Sequence, residues 1–258
     1  MRRALLATAF AFAAGLGAYA ATLVVLAPAT LVDAVLERAS GGRLRLANAE
    51  GSLWTGSGWI EIRDAQGRAG IARSLAWRVE RWSFLRGSLV AQVELDRAAA
   101  PFPVTFSLSR IELARVGIRL PAAALGLGMP RLAPLRLTGE VVLDIPNLAI
   151  ERGRMDGAAS LQWRAAGSAL TPVSPLGDYE VRFQAAGPVV HATLSTLSGP
   201  LLLEGSATWS NGSSPSFLAT ARVPAQHQDQ LSPLFRLVAV ERGAGSFEFS
   251  SAQAALRL

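Results

Sequence analysis

From residue 43 onward, apolar and polar residues alternate along most of the chain. In the segment 74–79, Leu75, Trp77 and Val79 share one face of an extended strand, and Ala76 and Arg78 share the other. Antiparallel strands with one packed and one solvated face give this alternation, whereas strands of parallel sheets are apolar throughout. Comparable segments begin at residues 43, 74, 89, 104, 135, 159, 179, 189, 201, 217 and 246. The pattern predicts a mainly β domain built from an antiparallel sheet.

Two segments interrupt the alternation and have helical features. Residues 111–128 end in a short apolar turn at 121–127, and residues 230–245 hold a helix-like apolar cluster closed by Gly243. Neither segment is long enough to form a second layer, so the sheet must cover its apolar face by curling, pairing with another sheet or lining a groove. We therefore expect a curved, meandering antiparallel sheet, half-barrel or sandwich-like. The Pro-bearing stretch 167–175 is the best candidate for a break between two sub-regions.

The first thirty residues follow a different pattern. After the two N-terminal arginines, no charge occurs before Asp33, and an apolar run extends from Ala4 to Ala27. A membrane-spanning helix needs about 20 apolar residues, so this run predicts one transmembrane anchor, with Leu5 to Leu26 as its apolar part. The positive-inside rule leaves the arginines in the cytoplasm and places the rest of the chain outside the inner membrane.

A cleaved signal peptide is the alternative to an anchor. Ala18-Tyr19-Ala20 matches the A-x-A cleavage pattern, but the apolar run continues to Leu26, past the usual apolar core of about 7–15 residues. The anchor is therefore favoured, and cleavage after Ala20 stays open. Both alternatives place residues 30–258 on the same side of the membrane.

Residues 30–42 predict a short amphipathic helix next to the membrane. We expect one stripe of the helix to be apolar and the charged residues to face away from it, with Gly41-Gly42 ending the helix. The stripe comprises Leu31, Val32, Val35 and Leu36, and the charged residues are Asp33, Glu37 and Arg38. The chain then divides into a cytoplasmic start and anchor at 1–29, this helix, and a periplasmic β-rich domain at 43–258.

Charge and composition exclude several classes of function. All 25 basic residues are arginine, a bias typical of GC-rich coding sequences, and they outnumber the 19 acidic residues. The arginines stand singly along alternating segments instead of clustering with aromatics, which disfavours nucleic-acid binding. The chain has no cysteine, so disulfides, thiolate catalysis and cysteine-bound zinc are excluded.

Candidate catalytic groups are few and scattered. His191 falls on the polar side of an alternating segment, and His227 lies near Asp229 with no suitably placed serine. Glu140 and Asp144 lie four residues apart on one strand, which separates them by roughly 13 Å, too far for glycoside hydrolysis. No phosphate-binding loop, nucleophile elbow or metal-binding motif occurs. We predict that the protein is not an enzyme and has no cofactor or metal.

The stretch EGSLWTGSG, residues 50–58, places Trp54 between Gly51 and Gly56. Tryptophan rings commonly cover patches of sheet where glycines leave room. With no acid, base or nucleophile beside it, Trp54 indicates a structural hairpin rather than an active site. Gly51, Trp54 and Gly56 are the predicted site residues of this opening hairpin.

The order of these features resembles the type II secretion system protein N family, also called general secretion pathway protein N. Four pieces carry the resemblance, which extends over nearly the full chain. They are the Gly-x-x-Trp-x-Gly box at Gly51, Trp54 and Gly56; the strand with Trp77 followed by Leu85-Arg86-Gly87-Ser88-Leu89; Leu176-Gly177-Asp178-Tyr179; and Ser198 to Gly205. The stretch after Phe217 is plainer than the Gly-rich hairpin common in such proteins, which leaves the C-terminal surface less well defined.

The resemblance implies a single-pass protein of the inner membrane with a periplasmic β-domain. Such a protein would be an accessory part of the machinery that exports folded proteins across the outer membrane, with other secretion components as partners. The curved sheet is also similar to AsmA-like proteins, which implies the alternative of a periplasmic lipid-binding or lipid-transfer groove. No catalytic residues come with the family.

Overall fold

A computed structural model describes residues 22–63, 69–96, 100–128, 130–210, 216–231, 240–243 and 245–250, together with residues 15, 16 and 19. Its described strands form one antiparallel sheet of 14 strands in the order β1 to β12, then β14 and β13. The strands are β1 Leu44–Gly51, β2 Thr55–Arg63, β3 Ala69–Val79, β4 Ser88–Leu95, β5 Phe102–Ser107, β6 Arg110–Pro121, β7 Leu137–Glu151, β8 Arg154–Ser168, β9 Gly177–Gly187, β10 Val189–Ser198, β11 Leu202–Ser210, β12 Ser216–Arg222, β13 Val240–Gly243 and β14 Ser246–Ser250. The predicted antiparallel sheet is confirmed, and it meanders from β1 to β12; β14 then pairs with β12, which leaves β13 at the edge. The sandwich-like alternative is wrong, because every described strand belongs to the same sheet.

The register gives the sheet one apolar and one polar face. Trp77 pairs with Val93, and Val93 pairs in turn with Phe102, so the apolar residues of successive strands align. We call this side the apolar face; it includes Leu75, Val93, Val104, Ile118, Leu143, Leu161, Val181, Leu194, Ala207 and Phe217. The opposite side, the polar face, includes Arg78, Gln92, Thr105, Arg119, Asp144, Ser160, Arg182, Thr193 and Ser206.

The sheet curls between β3 and β6. In a flat sheet these strands would lie about 14 Å apart, farther than one arginine side chain reaches. The Arg73 guanidinium on β3 nevertheless donates a hydrogen bond to the Arg119 carbonyl on β6 at 3.3 Å. Leu127, in helix α2 (Ala123–Gly128) beyond β6, also contacts Gly70 on β3 closely enough that a Cβ at Gly70 would overlap it. Both contacts are consistent with a half-barrel curvature.

Buried residues concentrate in three clusters along the apolar face. The first lies under helix α1 (Thr30–Ser40), the second on strands β4 to β7, and the third where the chain folds back over β8 to β14. Their buried members are Ala29, Leu46, Trp77, Val79 and Ala91; Phe102, Val104 and Val116; and Ala166, Leu176, Tyr179, Leu201, Ala221, Val223, Leu231 and Phe247. Much of the face between the clusters stays half-exposed.

Helix α1 forms where the pattern predicts it and ends at Gly41, which is left-handed at φ 62°. The predicted orientation of its side chains needs correction. Val32 and Leu36 pack on the first cluster, but Leu31 and Val35 are exposed. The charged residues Asp33 and Glu37 face β1 instead of solvent. The reason is that β1 is an edge strand whose outward amides need acceptors.

The helical interpretation of residues 111–120 was wrong. Strand β6 occupies this segment and pairs with β7 from Arg110 to Pro121; that tertiary pairing outweighs the local pattern. Only the turn that follows is helical, as α2. Near the C-terminus, Val240–Gly243 forms strand β13 and not part of a helix, while residues 232–239 lie outside the described part of the chain. The sheet is continuous across the proposed break at 167–175.

The predicted anchor, Ala4 to Ala27, lies mostly outside the described residues. Residues 22–25 are helical, and Leu23, Val24, Val25 and Leu26 are between 53% and 72% exposed. Among the described residues, no helix combines the length and the apolar character needed to cross a membrane.

Candidate functional site

The opening hairpin joins the N-terminal segment to the sheet. The Leu53 amide donates to the Ala27 carbonyl at 2.8 Å, and the Trp54 indole Nε1 donates to the Val24 carbonyl at 3.0 Å. An isolated bridge between residues 28 and 52 extends this pairing. The three predicted site residues therefore lie at the point where the N-terminal segment leaves the sheet.

Both glycines of the hairpin are required by their surroundings. Gly51 has φ 92°, and a Cβ on it would lie 2.5 Å from the Thr55 carbonyl oxygen. A Cβ on Gly56 would overlap the ring of Trp77, which is held in place by its own indole bond to the Leu53 carbonyl at 3.1 Å. The space between the glycines is therefore filled by Trp77 from β3, while Trp54 reaches the other way to the N-terminal segment.

Trp77 is the partner that sequence reasoning missed. The alternating pattern correctly predicts that Trp77 lies on the apolar face of its strand. Its position over Gly56, however, depends on the pairing of β2 with β3. The only sequence signal is that a large aromatic on one strand and a glycine on the preceding strand belong to the same face.

Helix α1 blocks the free edge of the sheet beside this hairpin. The Asp33 carboxylate accepts from the Leu46 amide at 2.7 Å, and the Ser40 hydroxyl accepts from the Leu44 amide at 2.9 Å. Arg45 on β1 pairs with Asp33 at 3.2 Å and with Glu37 at 2.9 Å. Because these side chains occupy outward-pointing amides of β1, the edge is not open for another strand to add.

The third and fourth pieces of the family pattern come together in space. The buried Tyr179 hydroxyl lies 3.0 Å from both the Leu176 and Leu201 carbonyl oxygens, which share its single hydrogen as acceptors. Burial raises the pKa of the Tyr179 hydroxyl well above its ordinary value. Gly177 and Gly199 touch so closely that a Cβ on either would overlap its surroundings.

Asp178 links the same two segments on the other side of the sheet. Its carboxylate accepts from the Ala165 amide at 2.7 Å and from the Ser198 hydroxyl at 2.8 Å. The Ala165 bond, followed by the Ser198 bond, holds the pKa of the Asp178 carboxyl below its ordinary value of 3.8. Residues 176–179 and 198–201 thus form one tied corner of the sheet, whose role is to hold strands β8 to β11 together.

The candidate catalytic residues do not converge. His191 is exposed, with its Nδ1 3.1 Å from the Thr208 hydroxyl, and His227 lies in a short 3₁₀ turn at Ala225–His227. Glu140 and Asp144 are exposed on the polar face. Within the described residues, no group of three or more His, Asp or Glu side chains could hold a metal ion.

One charged group on the apolar face was not predicted. Arg73 pairs with Asp96 at 2.7 Å and bridges to β6, beside an open cavity of about 840 Å³ whose lining includes Arg119 and Glu140. The sequence signal for this group is an arginine at a position of an alternating strand that belongs to the apolar face. Its observed contacts are structural, because they tie the curled part of the sheet.

Comparison with known proteins identifies the family. Residues 42–250 match the family described as type II secretion system (T2SS), protein N, so the match covers most of the chain. No curated protein and no solved structure matches the chain. The matched range takes in all four pieces of sequence that carried the resemblance, including those in the opening hairpin and the tied corner. The chain therefore belongs to the T2SS protein N family, whose members are components of the type II secretion system.

Proposed function

We propose that this protein is an accessory inner-membrane component of the type II secretion system, which takes part in exporting folded proteins across the outer membrane through protein–protein contacts. The family match over residues 42–250 is the observation that carries the proposal. The apolar run Ala4 to Ala27 supports a single membrane span with the β-domain in the periplasm. The proposal assigns no catalytic step to the chain.

The opening hairpin has a defined part in this proposal. Trp54, held to Val24, and the amide of Leu53, held to Ala27, fix the direction in which the anchor leaves the sheet. Because α1 blocks the β1 edge, partner proteins would contact the polar face or the anchor rather than extend the sheet at β1. Gly51 and Gly56 would support this junction by allowing the hairpin to close.

Complementation of a deletion strain tests the proposal. The full chain should restore the appearance of a type II substrate in the culture medium. A variant in which a cleavable signal peptide replaces residues 1–29 should reach the periplasm at the same level yet restore little secretion. The levels of the other inner-membrane secretion subunits are measured in parallel. Unchanged secretion and unchanged subunit levels in the deletion strain would contradict the proposal.

A second candidate function, lipid handling, rests on one observation: beside the third cluster, part of the apolar face of β9 to β12 remains open among the described residues. Val181, Leu194 and Phe217 line an open apolar cavity of about 170 Å³ on this face. Because ligand pockets usually span about 300–1,000 Å³, an acyl chain would have to lie along the face rather than inside the cavity.

Native mass spectrometry of the full chain distinguishes the two functions. A lipid held by the face should be lost in Val181→Gln and retained in Thr193→Gln, whose side chain lies on the polar face of the neighbouring strand. Lipid bound only through the anchor would be unaffected by either substitution. Equal lipid content in both variants and the unmodified chain would exclude the lipid-handling candidate.

A further inference from the structure

The strand register divides the connections of the sheet between two ends. The pairing of Ser88 with Ser107 places the β3–β4 connection beside the β5–β6 turn, and the pairing of Met155 with Gly187 places the β7–β8 turn beside the β9–β10 turn. Together with the opening hairpin, these connections form the junction end, comprising residues 52–54, 80–87, 108–109, 152–153 and 188. We call the opposite end, with the described residues 96, 100–101, 122–128, 130–136, 169–176, 199–201 and 223–231, the capped end.

The junction end exposes large apolar side chains. Trp82 is 78% exposed in the β3–β4 connection, and Leu108 is fully exposed at the tip of the β5–β6 turn. Phe106 and Ile111, which flank that tip, are 44% and 39% exposed. The N-terminal segment, whose described apolar residues are also exposed, leaves the sheet at this same end. Leucines in or beside the capped-end connections are also exposed, at 46–51%, but less than Trp82 and Leu108. Large exposed apolar residues grouped at one end mark an interaction surface.

The charge of the junction end is complementary to an anionic surface. Its connections and the strand residues next to them carry more exposed arginines than carboxylates. The exposed arginines are Arg81, Arg86, Arg110, Arg152 and Arg154, of which Arg110 pairs with Glu112 at 2.7 Å; the carboxylates of this end are the exposed Glu80 and the half-buried Glu151. Arginines and a tryptophan around apolar tips are typical of protein surfaces that sit at a lipid headgroup region. Arginines close to an anionic bilayer are attracted to its negative surface potential.

We infer that the junction end of the sheet rests on an anionic bilayer surface, with Leu108 and Trp82 inserted among the headgroups and the arginines beside the lipid phosphates. The inference deepens the proposed function, because it takes the N-terminal run to span that same bilayer. The sheet then stands end-on at the membrane, and its capped end points away from it.

Site-directed spin labelling tests this arrangement, since the chain has no cysteine and single labels are unambiguous. Leu16→Cys, Leu108→Cys and Leu170→Cys place a nitroxide in the N-terminal segment, at the junction end and at the capped end. Leu170 is the matched control, being an exposed leucine at 47% in a capped-end loop. Each full-length variant is reconstituted as one chain per nanodisc of phosphatidylcholine with phosphatidylglycerol. Collisions with oxygen, which enters lipid, are compared with collisions with a water-soluble nickel chelate.

We expect the label at 108 to collide more with oxygen than with nickel, and the label at 170 to do the reverse. Replacing phosphatidylglycerol with phosphatidylcholine, or adding Arg152→Glu with Arg154→Glu, should shift the label at 108 toward nickel accessibility. A label at 108 as accessible to nickel as the label at 170 would overturn the inference. So would a label at 108 shielded from both reagents, which would indicate protein contact, or one unaffected by lipid charge and by the arginine substitutions.

The label at 16 separates this inference from the proposed function. A label in water at 16 would contradict the membrane span but not the surface contact, which the label at 108 decides alone. A label in lipid at 16 together with a label in water at 108 would leave the anchor intact and remove only the end-on contact.

Discussion

The two ends of the sheet are built differently. At the junction end, Trp82 in the β3–β4 connection and Leu108 in the two-residue β5–β6 turn are exposed. At the capped end, several connecting segments fold back over the sheet and bury apolar residues, although Leu170 remains 47% exposed. Ala122, Leu176, Leu201 and Leu231 are each no more than 5% exposed there.

This difference indicates that the capped end contributes to the stability of the fold, whereas the junction end provides a surface for attachment. A buried leucine or phenylalanine contributes about 1.5–3 kcal/mol by leaving water, and the capped end collects many such residues in one cluster. The apolar tips of the junction end contribute nothing comparable in an isolated molecule. The comparison predicts that substitutions at the capped end affect folding, whereas substitutions at the junction end affect attachment.

The largest effect is expected from Phe247→Ala. Phe247 is fully buried in the third cluster, so its truncation leaves a cavity and should lower the free energy of unfolding by about 3–5 kcal/mol. Leu108→Ala at the junction end is the matched control, with an expected change within about 0.5 kcal/mol. Guanidinium titration of the full chain, followed by tryptophan fluorescence, measures both. Similar losses of unfolding free energy in the two variants would contradict the assignment of folding stability to the capped end.

A smaller loss, about 1–3 kcal/mol, is expected from Gly56→Ala. The added methyl group would overlap the Trp77 ring, which cannot move without losing its bond to the Leu53 carbonyl. Gly117→Ala is the control, because nothing lies within 4 Å of a Cβ at that position. The same titration applies, and an equal response of the two glycines would show that crowding at the opening hairpin is not the cause.

Trp54→Phe should loosen the junction without unfolding the sheet. Losing the indole bond to the Val24 carbonyl removes about 1 kcal/mol, which corresponds to about fivefold faster hydrogen exchange at the Leu53 amide. Trp82→Phe, at an exposed position of the same end, should leave that exchange rate unchanged. Mass spectrometry of exchanged peptides provides the measurement, and unaltered exchange in Trp54→Phe would exclude the role given to this indole.

The smallest effect is a pH dependence from Asp178. Since its pKa is lower in the folded state than its ordinary value of 3.8, the carboxylate stabilises the fold above about pH 4. That contribution is lost as pH falls through the folded-state pKa. Asp178→Asn should therefore lower the thermal midpoint at neutral pH, and the gap to the unmodified chain should close in acid. A gap that stays constant down to pH 3 would contradict the assignment.

How much of the fold could be predicted from the sequence depended on how far apart along the chain the interacting residues lie. The alternation at 74–79 and 89–95 identified β3 and β4 because a strand's two faces depend only on neighbouring residues. Residues 111–120 were misread because their identity as a strand depends on pairing with β7, more than twenty residues later. The orientation of Asp33 was misread for the same reason, since its partner is the edge of β1.

The candidate site divides in the same way. Gly51, Trp54 and Gly56 were identified as a unit from their spacing, yet the sequence did not indicate what the indole binds. Its partner, the Val24 carbonyl, lies thirty residues away. The exposed state of Leu108 was also not predictable, because a leucine between serines reads equally well as a buried turn residue until its neighbours in space are known.

The sequence by itself determined that the chain forms antiparallel strands with one apolar and one polar face, and that it belongs with type II secretion proteins. Period-two alternation and short glycine-framed motifs are local properties, so they can be read without coordinates. Tertiary structure alone decided that all described strands share one sheet, that the sheet curls until Arg73 reaches Arg119, and that the N-terminal segment is tied to the opening hairpin. Those features arise from contacts between residues far apart in the chain, which no local pattern encodes.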